Sequence, residues 1–134
     1  MPLDVEIVTP ERIILRERVD ELNLPSDWGY IGILPGHTPL LTILGQGELM
    51  YRQNTTQRYM SLFGGYMEVN QDKVTILAEI AEPSAEIDRA RAESARDRAE
   101  DRLRRIHDSD VDFDRARAAL MRAMIRLQAS SHAM

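Results

Sequence analysis

Over about the first eighty positions apolar and polar residues alternate in short runs, and after Glu82-Pro83 the apolar recurrence changes to three and four. The first period is that of half-buried strands, the second that of helices. Leu3, Val5 and Ile7 alternate against Asp4 and Glu6 until Thr9-Pro10-Glu11 ends the run. Ile13 to Arg16 reads as its partner, Val19 to Leu24 alternates again, and Pro25-Ser26-Asp27 turns the chain into Trp28 to Leu34. Pro35-Gly36-His37-Thr38-Pro39 is dense in turn residues, and the apolar run Leu40 to Leu44 after it stops at a Gly45-Gln46-Gly47 break. Glu48 to Gln53 and Gln57 to Leu62 flank Asn54-Thr55-Thr56 as a hairpin, and Tyr66 to Val69 and Val74 to Leu77 complete the set. Strands so short and so often interrupted predict an antiparallel β-sandwich or barrel.

From Ser84 to Ile106 there is neither Gly nor Pro, and Ala, Arg and Glu dominate. This predicts a helix capped by Ser84, with Glu86 and Asp88 in its positive first turn. At about 100° per residue, Ala92, Ala95, Ala99, Leu103 and Ile106 fall into one narrow stripe. Asp88 lies in line with it, and Arg91 and Arg98 lie on its flank. His107-Asp108-Ser109-Asp110 interrupts the pattern, and a second helix is expected from Val111 to Gln128. Its apolar stripe is Phe113, Ala116, Leu120, Met124 and Leu127, with Arg115, Arg122 and Arg126 opposite. The fold class is therefore α+β: an N-terminal antiparallel β-sandwich over residues 1–82, then a C-terminal antiparallel two-helix hairpin over 83–134. An alanine-dominated seam buries little apolar surface, so the hairpin is expected to depend on docking to the sandwich, a partner or a ligand. Charges beside such a seam fit two readings, solvated ion pairs or a ligand site.

Composition narrows the function. The 134 residues include no cysteine, which removes disulfides and thiolate metal sites. No apolar run approaches the roughly 18 residues of a spanning helix, so membrane association is expected to run through a partner. From Glu82 onward 11 arginines face 11 acids, so the whole net charge of -5 sits ahead of that point, which disfavours a nucleic-acid binder. Lys73 is the only lysine among 17 basic residues, and arginine forks suit carboxylate or phosphate. His107 and His132 read as isolated, and no His/Asp/Glu spacing makes a metal site. Gly64-Gly65 lacks the Lys-Ser/Thr of a phosphate loop, and catalysis by this chain alone is not expected.

The run Gly32-Ile33-Leu34-Pro35-Gly36-His37-Thr38-Pro39-Leu40-Leu41-Thr42, followed by Gly64-Gly65-Tyr66-Met67-Glu68-Val69 and Val74-Thr75-Ile76-Leu77-Ala78, resembles the epsilon subunit of bacterial F-type ATP synthases, and the two-helix tail follows at the same place. The resemblance implies a non-catalytic subunit of the central rotor stalk, seated against the gamma subunit and the c ring at the cytoplasmic face of the cell membrane. It implies that the tail restrains ATP hydrolysis when extended along gamma toward the alpha and beta subunits. Some members bind ATP through a tail motif, Ile/Leu-Asp-x-x-Arg-Ala, which Ile87-Asp88-Arg89-Ala90-Arg91-Ala92 matches. The implied ATP residues are Asp88, Arg91, Arg98, Arg122 and Arg126, with Glu82 toward the base; ATP is then a regulatory ligand and no cofactor is required. The implied partner contacts are Tyr30 and His37 toward the c ring, and Arg102, Arg104, Arg105 and Arg115 toward an acidic segment of beta. A free-standing ATP sensor and a docking adaptor are the alternatives.

Overall fold

The computed structural model describes residues 2–105, 107 and 111–133. Ile106, Asp108, Ser109 and Asp110, expected at the first helix end and in the turn after it, lie outside the described residues. The strands are β1 (Leu3–Val8), β2 (Ile13–Val19), β3 (Glu21–Ser26), β4 (Gly29–Ile33), β5 (Leu40–Gln53), β6 (Thr56–Asn70) and β7 (Lys73–Pro83). They hydrogen-bond in the order β2-β1-β7-β6-β5-β3-β4. Neighbours are antiparallel except β1 and β7, which run parallel with Val5 beside Val74 and Ile7 beside Ile76. This ribbon forms the expected sandwich around one core, to which Ile7, Val19, Leu24, Ile33, Leu49, Leu62 and Ile76 contribute one side chain from each strand.

The Gly45-Gln46-Gly47 break does not end a strand. β5 and β6 pair in unbroken register from Leu40↔Val69 to Gln53↔Thr56, and β6 and β7 from Met60↔Pro83 to Asn70↔Lys73. What changes at the glycines is the face turned to the core. In β6 Met60 and Leu62 are core residues on one side of the break, Met67 and Val69 on the other; β7 changes likewise between Ala78 and Ala81, and β5 between Leu44 and Leu49. The exchange needs backbone that side chains resist: Gly64 and Gly65 have φ of 77° and 132°, and a Cβ on Gly65 would run into the Leu77 carbonyl.

Beyond the exchange both faces of β6 are covered. Met60 and Leu62 enter the core while Ser61 and Phe63, also buried, face the tail. A short 3₁₀ turn (Ser84–Glu86) leads into α1 (Arg89–Arg104) and α2 (Phe113–Ser131). Ser84 is not the cap. The chain is extended at Ile87 and Asp88, and Asp88 Oδ1 accepts the Arg91 N–H at 3.0 Å; Asp112 caps α2 in the same way. A carboxylate satisfies the free donor and also opposes the helix dipole, which a serine hydroxyl cannot.

The helices pack antiparallel, but the buried face of α2 is turned from the expected stripe, of which Ala116 is buried and Leu120 and Leu127 half-buried. Its buried residues are Ala116, Ala123, Ala129 and Ser130, whereas Phe113 and Met124 are 41% and 55% exposed. α1 buries Ala92 and Ala99, seven residues apart, and lies against α2, since small side chains allow two helix backbones to approach closely. Arg89 closes the open end, donating from Nη1 to Ser130 Oγ at 3.0 Å and to the Leu127 carbonyl. α2 also lies against β5 and β6.

Candidate functional site

Turning the alanines of α2 toward α1 brings Arg126, three residues after Ala123, to the side where α1 carries Arg91 and Arg98. These three arginines line a cavity of about 340 Å³ together with Glu82, Glu86, Ile87, Asp88, Ala92, Ala95 and Ala123. Thus Glu82, Asp88, Arg91, Arg98 and Arg126, all singled out from sequence, come together, although they derive from a strand end, a cap and two helices. Arg122, one turn before Arg126, does not line the cavity.

Four of the charged groups are already engaged: Glu86 pairs with Arg12 at 2.9 Å, Asp88 caps α1, and Glu82 and Arg126 hold each other. Arg126 Nε donates to Glu82 Oε1 at 2.8 Å, Ser61 Oγ donates to the same oxygen at 2.9 Å, and the Arg126 guanidinium lies 4.8 Å above the Phe63 ring centre. Ser61, which alternation assigned to a plain strand, and Phe63, which it assigned to no element, therefore brace the site. Their outward position follows from the face exchange, which no local motif announces. Arg91 and Arg98 form no ion pair with any acid among the described residues. Two guanidinium groups held on one side of a concave surface, with a third braced opposite, are suited to an anion with several oxygens.

The other candidates lie elsewhere. Tyr30, 56% exposed on β4, accepts the Glu48 N–H at its hydroxyl. The His37 loop is pinned where Gly36 N–H donates to Asp72 Oδ1 at 2.7 Å, and the His37 ring contacts the Thr38 carbonyl. Arg102, Arg104, Arg105 and Arg115 are exposed toward the hairpin tip, with Arg105 paired to Asp101. His132 is not isolated: it stacks on Tyr59 and approaches Glu48. Among the described residues no cluster of His, Asp and Glu could hold a metal, and no helix is long and apolar enough to cross a membrane.

Comparison with known proteins places these features. Residues 2–84 match the family described as ATP synthase, Delta/Epsilon chain, beta-sandwich domain, and residues 85–131 the ATP synthase, Delta/Epsilon chain, long alpha-helix domain. The ATP synthase epsilon chain of Herpetosiphon aurantiacus is 50% identical over 128 residues, covering 96% of this chain and 93% of that one. ATP synthase epsilon chain 2 of Syntrophotalea carbinolica is 47% identical over 126 residues, covering 94% and 91%. In fold, the chain resembles one in the Euglena gracilis mitochondrial ATP synthase structure containing OSCP, F1 and the c-ring, with a TM-score of 0.71 at 21% identity, covering 98% of this chain and 81% of that one. Two family matches that between them span nearly the whole sequence, and relatives of one name at about half identity, make this chain a member of the ATP synthase epsilon chain family.

Proposed function

We propose that the chain is a non-catalytic rotor subunit of the ATP synthase, held peripherally at the cytoplasmic face of the membrane, and that its hairpin is a tail governed by ATP. The convergence of Arg91, Arg98 and Arg126 on one cavity carries this reading. Arg91 and Arg98 offer forks to phosphate oxygens, and Arg126, braced by Glu82, offers its remaining donors from the facing helix. A ligand held by both helices favours the folded tail by RT ln(1 + [ATP]/Kd), about 2.7 kcal/mol at a hundredfold excess over Kd. When ATP is scarce the tail extends along gamma, and Arg102, Arg104, Arg105 and Arg115 meet an acidic segment of beta, restraining hydrolysis. The sandwich supplies the fixed seat, with domain limits at 1–82 and 83–134. Tyr30 and the His37 loop face the c ring. An exposed apolar row, Ile43, Tyr66 and Leu77, adjacent across β5, β6 and β7 and each at least half exposed, suits a protein partner such as gamma.

Thermal unfolding in an ATP titration tests the ligand reading. ATP is expected to raise the melting temperature of the wild-type chain in proportion to the logarithm of its concentration. Arg91→Ala and Arg98→Ala should each weaken the apparent affinity by tenfold or more, the loss of about 1.5–3 kcal/mol for a charged hydrogen bond. Equal shifts in all three proteins would remove the site from this cavity.

A further inference from the structure

The seat of α2 on the sheet is built from one cross-strand row. Glu48 of β5 is paired with Ser61 of β6, and Ser61 with Glu82 of β7, so the three side chains share the face that the tail covers. α2 sets a cation on the carboxylate at each end of the row: Arg126 on Glu82, and His132, just past the last helical turn, on Glu48. The first clasp carries a permanent charge. The second carries one only when the imidazole is protonated, and imidazole titrates across the physiological range.

The surroundings make that proton matter. Glu48 is the more enclosed partner, its side chain 12% exposed, and burial pushes its carboxyl above the ordinary value while the His132 charge opposes the rise. His132 Nε2 lies 3.1 Å from Glu48 Oε2, yet that buried oxygen accepts no well-directed hydrogen bond among the described residues. The attraction is therefore one of charge. The ring stacks on Tyr59 with centres 3.6 Å apart and planes 11° apart, and it sits at the negative end of α2, where an imidazolium is favoured. Among the described residues the other ionisable groups around it are Tyr51 of β5, Arg58 of β6 and, from α1, Arg89 with its partner Glu93. The two arginines oppose a positive ring, and among the described residues only Glu48 touches it with opposite charge.

The geometry points to a proton-operated latch: His132, when protonated, locks the end of α2 onto Glu48 and Tyr59, and its deprotonation loosens the tail from the sandwich. Once the ring is neutral, the docked state buries a carboxylate with no countercharge, which costs free energy that release into water recovers. Burial raises the Glu48 carboxyl, so the docked state holds a proton at this pair more tightly than the released state does. Docking is thus strongest at low pH and weakens as pH rises through the titration of the pair. The latch is separate from the nucleotide reading, since neither His132 nor Glu48 lines the arginine cavity.

Amide hydrogen exchange of the full chain at pH 6 and pH 8, each rate corrected for its intrinsic value, reads the opening of α2. In the wild type, protection in the last two turns of α2 should be about fivefold higher at pH 6, with amides of β1 and β7 unchanged. His132→Gln should bring the ratio close to one. Glu48→Gln should do the same and raise protection at pH 8, because no unpaired carboxylate is then buried. A wild-type ratio below twofold, a ratio in His132→Gln equal to that of the wild type, or protection that rises with pH would each overturn the latch. Arg91→Ala should keep the pH response and His132→Gln should keep the response to ATP, so failure of one site is distinguishable from failure of the other.

Discussion

Asp88 shows how one side chain can satisfy a family pattern for a reason unrelated to the ligand. Its Oδ1 accepts the Arg91 N–H, so its measurable work in the free chain is to start α1 where Arg91 will point into the cavity. Asp88→Ala is expected to lose about 1 kcal/mol of tail stability from the missing cap, whether ATP is present or absent, while Asp88→Asn should retain most of it. Denaturant unfolding of both variants with and without nucleotide checks this. A loss seen only with ATP would instead make the carboxylate a ligand contact. Glu82 has a comparable double engagement, with Ser61 and Arg126 sharing one of its oxygens.

At the scale of elements, the close approach of α1 and α2 rests on methyl groups. Ala99→Leu adds bulk to a position that is 1% exposed and should cost about 1–3 kcal/mol of hairpin stability through overpacking. It should also weaken ATP binding although it touches no charged residue, because Arg126 would be pushed away from Arg91 and Arg98. Calorimetric titration of the variant against wild type measures that loss. The same seam marks the limit of what could be read from the chain. Five of the six ligand candidates named from sequence line the cavity, but the face that α2 turns to α1 was only partly legible: an apolar stripe containing Phe113 and Met124 outweighs a stripe of alanines on any hydrophobicity count, while backbone proximity favours the alanines. The long strands were misjudged for a related reason. Alternation changes phase at Gly45 and Gly64, and a change of phase looks locally like the end of one strand and the start of another. The clasps at Glu48 and Glu82 depend on cross-strand neighbours far apart in sequence, which period and motif do not encode.

For the whole molecule, the sandwich core is made without the tail: among the described residues none beyond Ala81 belongs to it. A chain ending at Glu86 should therefore unfold cooperatively and keep the spectral signature of the sheet, with Phe63 newly exposed and solubility reduced. Circular dichroism and a denaturation curve decide this; a non-cooperative or molten product would mean that the helices are needed to complete the fold. The exchange of faces at the glycines has a wider result. On β5, β6 and β7 the bare row Ile43, Tyr66 and Leu77 lies on one side of that level and the row Glu48, Ser61 and Glu82 on the other, with no residue in common. Under the proposed function, a neighbour gripping the first row would leave the second vacant for the helices to leave and return, so the subunit would stay bolted to its shaft while its arm changes position.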